Sequence, residues 1–111
     1  MDIDVRATNF GLEDGVRDYI ERRMMMSLDR FEGRVERVEV TLTNLHGRNH
    51  TRELQCRVLA AVHHARNVVV AQTDQDMIAA VDVAASRVKR TVRRQINRRR
   101  DARREQRQRA A

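Results

Sequence analysis

The chain of 111 residues contains no proline and no tryptophan, and only one cysteine, one tyrosine and two phenylalanines. A lone cysteine, Cys56, excludes an internal disulfide framework and fits a reducing compartment such as the cytoplasm. So few aromatic rings cannot build a platform on which single-stranded bases stack, so any nucleic-acid contact must run through phosphates and shape. Apolar runs such as Val68-Val69-Val70-Ala71 are far too short to span a membrane. The start, Met1-Asp2-Ile3-Asp4, is acidic and unlike a secretory signal. No glycine-rich phosphate cradle and no Ser/His/Asp arrangement is visible, so neither an enzyme nor a binder of small-molecule substrates or cofactors is expected.

What the chain has in excess is arginine, and it is placed unevenly. Residues 87–111 carry twelve Arg/Lys against Asp101 and Glu105, a net of +10. Residues 1–86 carry eleven basic against fourteen acidic residues, a net of −3 within the overall +7. Twenty-two of the 23 basic residues are Arg, whose planar fork suits bidentate phosphate contacts. Such a block repels itself unless a polyanion neutralises it, so nucleic acid is the first partner to expect. A solvated helix face or a disordered tail is the plainer alternative.

Hydrophobic periodicity divides the chain into six elements. Ile3, Val5 and Ala7 alternate with Asp4, Arg6 and Thr8, the pattern of a half-buried strand. From Leu12 to Phe31 apolar residues recur every three or four positions, with Glu13 and Asp14 at the positive end of the helix dipole and Gly33 as a stop. Alternation returns at Val38, Val40 and Leu42, and again over residues 51–61 at Leu54, Cys56, Val58 and Ala60. A loop over residues 44–49 joins these two strands. His63-His64-Ala65-Arg66-Asn67 connects to a fourth strand, Val68 to Gln72. Asp74 is placed as the cap of a second helix whose stripe is Ile78, Val81, Ala85, Val88, Val92 and Ile96. The order β-α-β-β-β-α predicts an α/β (α+β two-layer) domain: strands one and two parallel, then antiparallel hairpins, with both helices on one face of a four-stranded mixed sheet. This layout is like that of double-stranded-RNA-binding domains. Residues 1–97 form the single domain. Residues 98–111 form a basic extension, a helix continuation or disordered, which is expected to fray alone and order on RNA.

This order of elements, with Val16-Arg17-Asp18-Tyr19-Ile20 in helix one and Asp76-Met77-Ile78-Ala79-Ala80-Val81-Asp82 opening helix two, resembles the ribosome hibernation promoting factor and ribosome-associated inhibitor family, short type. That family is also known as sigma-factor modulation or ribosomal subunit interface proteins. The resemblance covers about residues 2–97. It implies a non-enzymatic bacterial protein that binds the small (30S) ribosomal subunit and its 16S rRNA between head and body, over messenger RNA and A- and P-site transfer RNA positions. It would thereby stall idle ribosomes in stress or stationary phase. A family lysine of helix two falls on Arg87. Two departures stand out: Ile78 replaces a common tyrosine, and His63-His64-Ala65-Arg66-Asn67 replaces a glycine hairpin. A general structured-RNA binder, or a regulator of a sigma factor or another acidic protein, are the alternatives. Self-association is left open.

On helix two the core stripe leaves Arg87, Arg90, Arg94 and Arg98 on the opposite face, flanked by Arg93, Lys89 and Arg100. Spaced about one turn apart, they suit ribosomal RNA phosphates read without sequence. Helix one adds Arg17, Arg22, Arg23 and Arg30, diluted by Asp18, Glu21 and Asp29. No metal site is expected. His46 and His50 lie at one end of a strand of about ten residues and His63 and His64 at the other, roughly 30 Å apart at about 3.3 Å per residue. Cys56, in phase with Leu54 and Val58, reads as core, and Asp74 and Asp76 as helix-start acids rather than a catalytic pair.

Overall fold

The computed structural model describes residues 1–46 and 52–110. Its elements are β1 (Asp2–Thr8), α1 (Asp14–Leu28) with a 3-10 turn at Asp29–Phe31, β2 (Val35–His46), β3 (Arg52–Val62), β4 (Val68–Asp74) and α2 (Met77–Ala110). The sheet order is β1-β2-β3-β4, with β1 parallel to β2 and both later pairs antiparallel. This is the α+β two-layer arrangement that the alternation predicts, because a strand with one apolar face needs a single covering layer.

Register brings the apolar positions into rows across the sheet. Val5 pairs with Val40, Val40 with Val58, and Val58 with Val70, so one row of four valines crosses all four strands. Ile3, Val38, Ala60 and Val68 form the next row, and Leu42 opposes Cys56 in the row on the other side. Against these pack Ile20, Met24 and Leu28 of α1 and Val81, Ala85, Val88 and Val92 of α2. Of the methionine triplet only Met24 is buried; Met25 and Met26 are exposed, as three consecutive helical positions cannot share a face.

Several boundaries differ from the sequence expectation, each for a local reason. The pairing of β2 and β3 continues through Asn44, Leu45 and His46, opposite Leu54, Glu53 and Arg52, so the hairpin is longer than its polar tip suggested. The remainder of that loop, residues 47–51 with His50, lies outside the described residues. Val35 and Val38 are both buried although three residues apart, because a bulge between Val35 and Arg37 shifts the alternation by one. The cap of α2 is Asp76, whose carboxylate accepts the Ile78 N–H at 3.0 Å. Asp74 is the last residue of β4 and accepts the Asp76 N–H at 2.9 Å. Gly33 is no left-handed helix stop, since no described glycine has a positive φ. The first helix instead tightens into the 3-10 turn, closed by N–H bonds from Glu32 to Asp29 and from Arg34 to Phe31. Beyond Ile96, half-buried against the core, α2 continues to Ala110 with every residue from Arg98 exposed.

Candidate nucleic-acid interface

Packing on the sheet fixes the orientation of α2. Ala80, Val81, Ala84, Ala85, Val88 and Val92 are buried, so Arg90, Arg93 and Arg94 are turned to solvent, and Arg98 and Arg100 follow beyond them. Arg90 and Arg94 stand one turn apart, a rise of about 6 Å along the helix. The only acid of α2 before Asp101 is Asp82, so this solvent face carries no internal counter-charge up to that point.

Two of the predicted basic residues on this helix are half-buried, and one of them is tied to the sheet. The Arg87 guanidinium donates from Nη1 to the Ala71 carbonyl at 2.6 Å and to Gln72 Oε1 at 3.1 Å, fastening α2 to β4. Lys89 is the other. On α1, Arg17 makes the matching bond, donating to the Val5 carbonyl of β1. Each edge strand of the sheet is therefore held by an arginine from the helix above it.

The candidates on α1 also separate. Arg22 and Arg30 are exposed, whereas Arg23 lies with its Nε 3.3 Å from Asp82 Oδ1 and its Nη2 3.5 Å from the Asp82 carbonyl. The Tyr19 hydroxyl donates to the same Asp82 oxygen at 2.6 Å. That bond, with burial and the adjacent negative charge, pushes the phenol pKa up, and Arg23 partly opposes the shift. One turn further on, the buried Ser27 hydroxyl donates to the Ala85 carbonyl at 2.6 Å. The two helices are thus joined side by side through polar contacts. The signal for the Tyr19–Asp82–Arg23 cluster was legible as the one acid of α2 before Asp101, although sequence reasoning did not use it.

Other reactive groups do not assemble into a site. Cys56 is fully buried, and desolvation pushes its thiol pKa up to about 12. Such a thiol stays protonated and is no nucleophile at neutral pH. The His63 and His64 rings lie 6.4 Å apart, and among the described residues no three His, Cys, Asp or Glu side chains converge. No helix among the described residues is long and apolar enough to cross a membrane.

Known structures share this architecture. The N-terminal domain of Thermus thermophilus Protein Y superposes with a TM-score of 0.69 at 26% identity, covering 85% of this chain and 98% of that one. A ribosomal subunit interface protein from Coxiella burnetii superposes with a TM-score of 0.70 over 85% of this chain and 96% of its own, and at 9% identity that likeness speaks to fold alone. No curated protein sequence matches the chain. The sequence profile of one family does match, over residues 3–100, which takes in the four strands, α1 and the part of α2 up to Arg100. By that match the chain belongs to the sigma 54 modulation protein / S30EA ribosomal protein family.

Proposed function

We propose that this protein is a translation-silencing factor that docks on the small ribosomal subunit through the solvent face of α2. Arg90, Arg94 and Arg98 follow 16S rRNA phosphates along the decoding groove, with Arg93, Arg100, Arg22 and Arg30 at the margins. The bound chain occupies space needed by messenger RNA and by A- and P-site transfer RNA, and so holds idle ribosomes inactive under stress or in stationary phase. It acts by occupancy, in the cytoplasm, with no chemistry of its own. The observation that carries this reading is the exposed arginine face of α2, free of acids between Met77 and Arg100 apart from Asp82, which turns toward α1.

The test is co-sedimentation with purified small subunits across a salt series, with transfer RNA and messenger RNA as competitors. If six to ten phosphates are neutralised, affinity falls by roughly 10³–10⁵ between 50 and 200 mM salt. Arg90→Ala with Arg94→Ala is expected to weaken binding and leave the melting curve unchanged, because neither side chain is packed. Undiminished binding by that variant would refute the reading. Binding that neither competitor displaces would point instead to a general structured-RNA binder.

A further inference from the structure

The sheet-facing side of α2 changes chemistry where the helix overruns the sheet. Val88, Val92 and Ile96 turn toward the core, and Arg99 and Arg103, three and seven residues after Ile96, continue the same line at about 100° per residue. Beneath this overhang lie Arg34, just past the 3-10 turn, and the turn joining β3 to β4. Arg99, Arg103, Arg34, His63 and His64 line a concave space of 260 Å³. It adjoins a second of 590 Å³, lined by His64, Arg66, Gln95, Arg98 and Arg99. Among the described residues no acid lines either space.

Backbone bonds hold this notch in shape. The His63 N–H donates to the Arg34 carbonyl at 2.8 Å and the Ala65 N–H to the Val62 carbonyl at 3.2 Å, so both floor segments are fixed to each other. His64 has φ of 56°, a left-handed conformation that glycine adopts without strain and that puts an imidazole at the junction of the two spaces. Five arginines, Arg34, Arg66, Arg98, Arg99 and Arg103, gathered along the two spaces without a counter-charge repel one another, and the Arg99–Arg103 pair one turn apart opposes the helix that carries it. An anion in the notch attracts each of these cations and so offsets their mutual repulsion.

Arg90 and Arg94 lie on the other side of α2 from Arg99 and Arg103, with Arg98 between them at the edge of the larger space, so a single RNA strand along Arg90 and Arg94 does not reach Arg99 and Arg103. We propose that the notch seats a second stretch of RNA backbone, so that the distal half of α2 lies between two phosphodiester chains. The larger of the two spaces is open to solvent rather than enclosed, which suits a length of backbone better than a small free oxyanion. This inference rests on the reading that small-subunit RNA is the partner.

The experiment compares the full chain with Arg34→Gln/Arg99→Gln/Arg103→Gln and with Arg90→Gln/Arg94→Gln. Hydroxyl-radical footprinting on small subunits is combined with a salt series. All five side chains are exposed, so the variants are expected to fold, which circular dichroism checks. The notch variant is expected to lose protection of one set of nucleotides and to lower the log–log salt slope by about three, near one per arginine. The ladder variant is expected to lose a different set and lower the slope by about two. A notch variant with the footprint and slope of the parent overturns the inference while the proposed function stands. So does loss of the same nucleotides in both variants. Absence of any footprint from the parent chain overturns the functional reading, and the inference with it.

Discussion

Removing Asp82 is expected to weaken the fold and tighten binding to RNA at the same time. One oxygen of its carboxylate receives the Tyr19 hydroxyl at 2.6 Å and the Arg23 Nε at 3.3 Å. A hydrogen bond to a charged acceptor contributes about 1.5–3 kcal/mol when well buried, and an exposed ion pair about 0.2–1 kcal/mol. With side chains 43% exposed for Asp82 and 28% for Arg23, water competes for both, and the lower end of each range applies. Asp82→Ala therefore costs about 1–2 kcal/mol, which at about 4–8 °C per kcal/mol lowers Tm by roughly 5–15 °C. Tyr19→Phe removes the hydroxyl alone and costs about 1 kcal/mol. Because both changes act on one carboxylate, the second made on top of the first is expected to cost much less than it does alone. Asp82→Ala also raises the net charge from +7 by one and frees Arg23 of its carboxylate partner, leaving only the long contact to the backbone carbonyl. Binding to small subunits then strengthens, and the salt slope steepens by about one. Thermal unfolding of the two single variants and the double, together with a salt series on Asp82→Ala, measures all of this. Strictly additive stability losses, or an unchanged salt slope, would refute the reasoning.

Three further outcomes follow from the same structure. The raised phenol pKa of Tyr19 means that its stabilising effect is complete below the ordinary phenol value near 10 and is lost as pH rises through the higher folded value. Tyr19→Phe should accordingly flatten a stability decline seen above about pH 10, and an unchanged decline would count against the assignment. Cys56, with its pKa pushed up to about 12, should resist a thiol reagent at pH 8 in the folded protein and react at once in denaturant; rapid labelling of the native chain would contradict its burial. Residues Arg98 to Ala110 make no packing contact with the core, so their amides should exchange quickly in the free protein and slow down on RNA; strong protection in the free chain would show that the arm is held by something else.

The two-layer sheet was legible because its signal is periodic. Val38, Val40 and Leu42 repeat every second residue and Val81, Val88 and Val92 at helical spacing, so burial follows from geometry alone. Features that break period were misplaced or missed. The bulge after Val35 is invisible to an alternation count, and a choice between Asp74 and Asp76 as cap depends on where β4 ends, which the shared Asx chemistry of both residues hides. The outward face of α2 could be drawn from the position of the core stripe. The separate fates of Arg87, Arg23 and Arg90 could not, because composition treats every arginine as a free cation. Contacts between residues distant in sequence decide which are occupied: Gln72 and Ala71 claim Arg87, and Asp82 claims Arg23. The basic notch escaped notice for the same reason, since Arg34, His63 and Arg99 meet only when the sheet and α2 are assembled.

The bonds from Arg17 to Val5 and from Arg87 to Ala71 bear on how this protein behaves when crowded. An open sheet has two margins onto which a neighbouring copy can add a strand, and chain after chain can laminate into fibrils that way. Here a guanidinium latch sits on each margin, fed from the helical layer, so the residue type that attracts RNA elsewhere on the molecule also discourages self-templated stacking. Lysine at positions 17 and 87 would keep the net charge but put a compact, more strongly hydrated ammonium where the guanidinium now meets the carbonyl. Solubility at high concentration is thus expected to depend on which cation stands at these two places, and not merely on how many cations the chain carries.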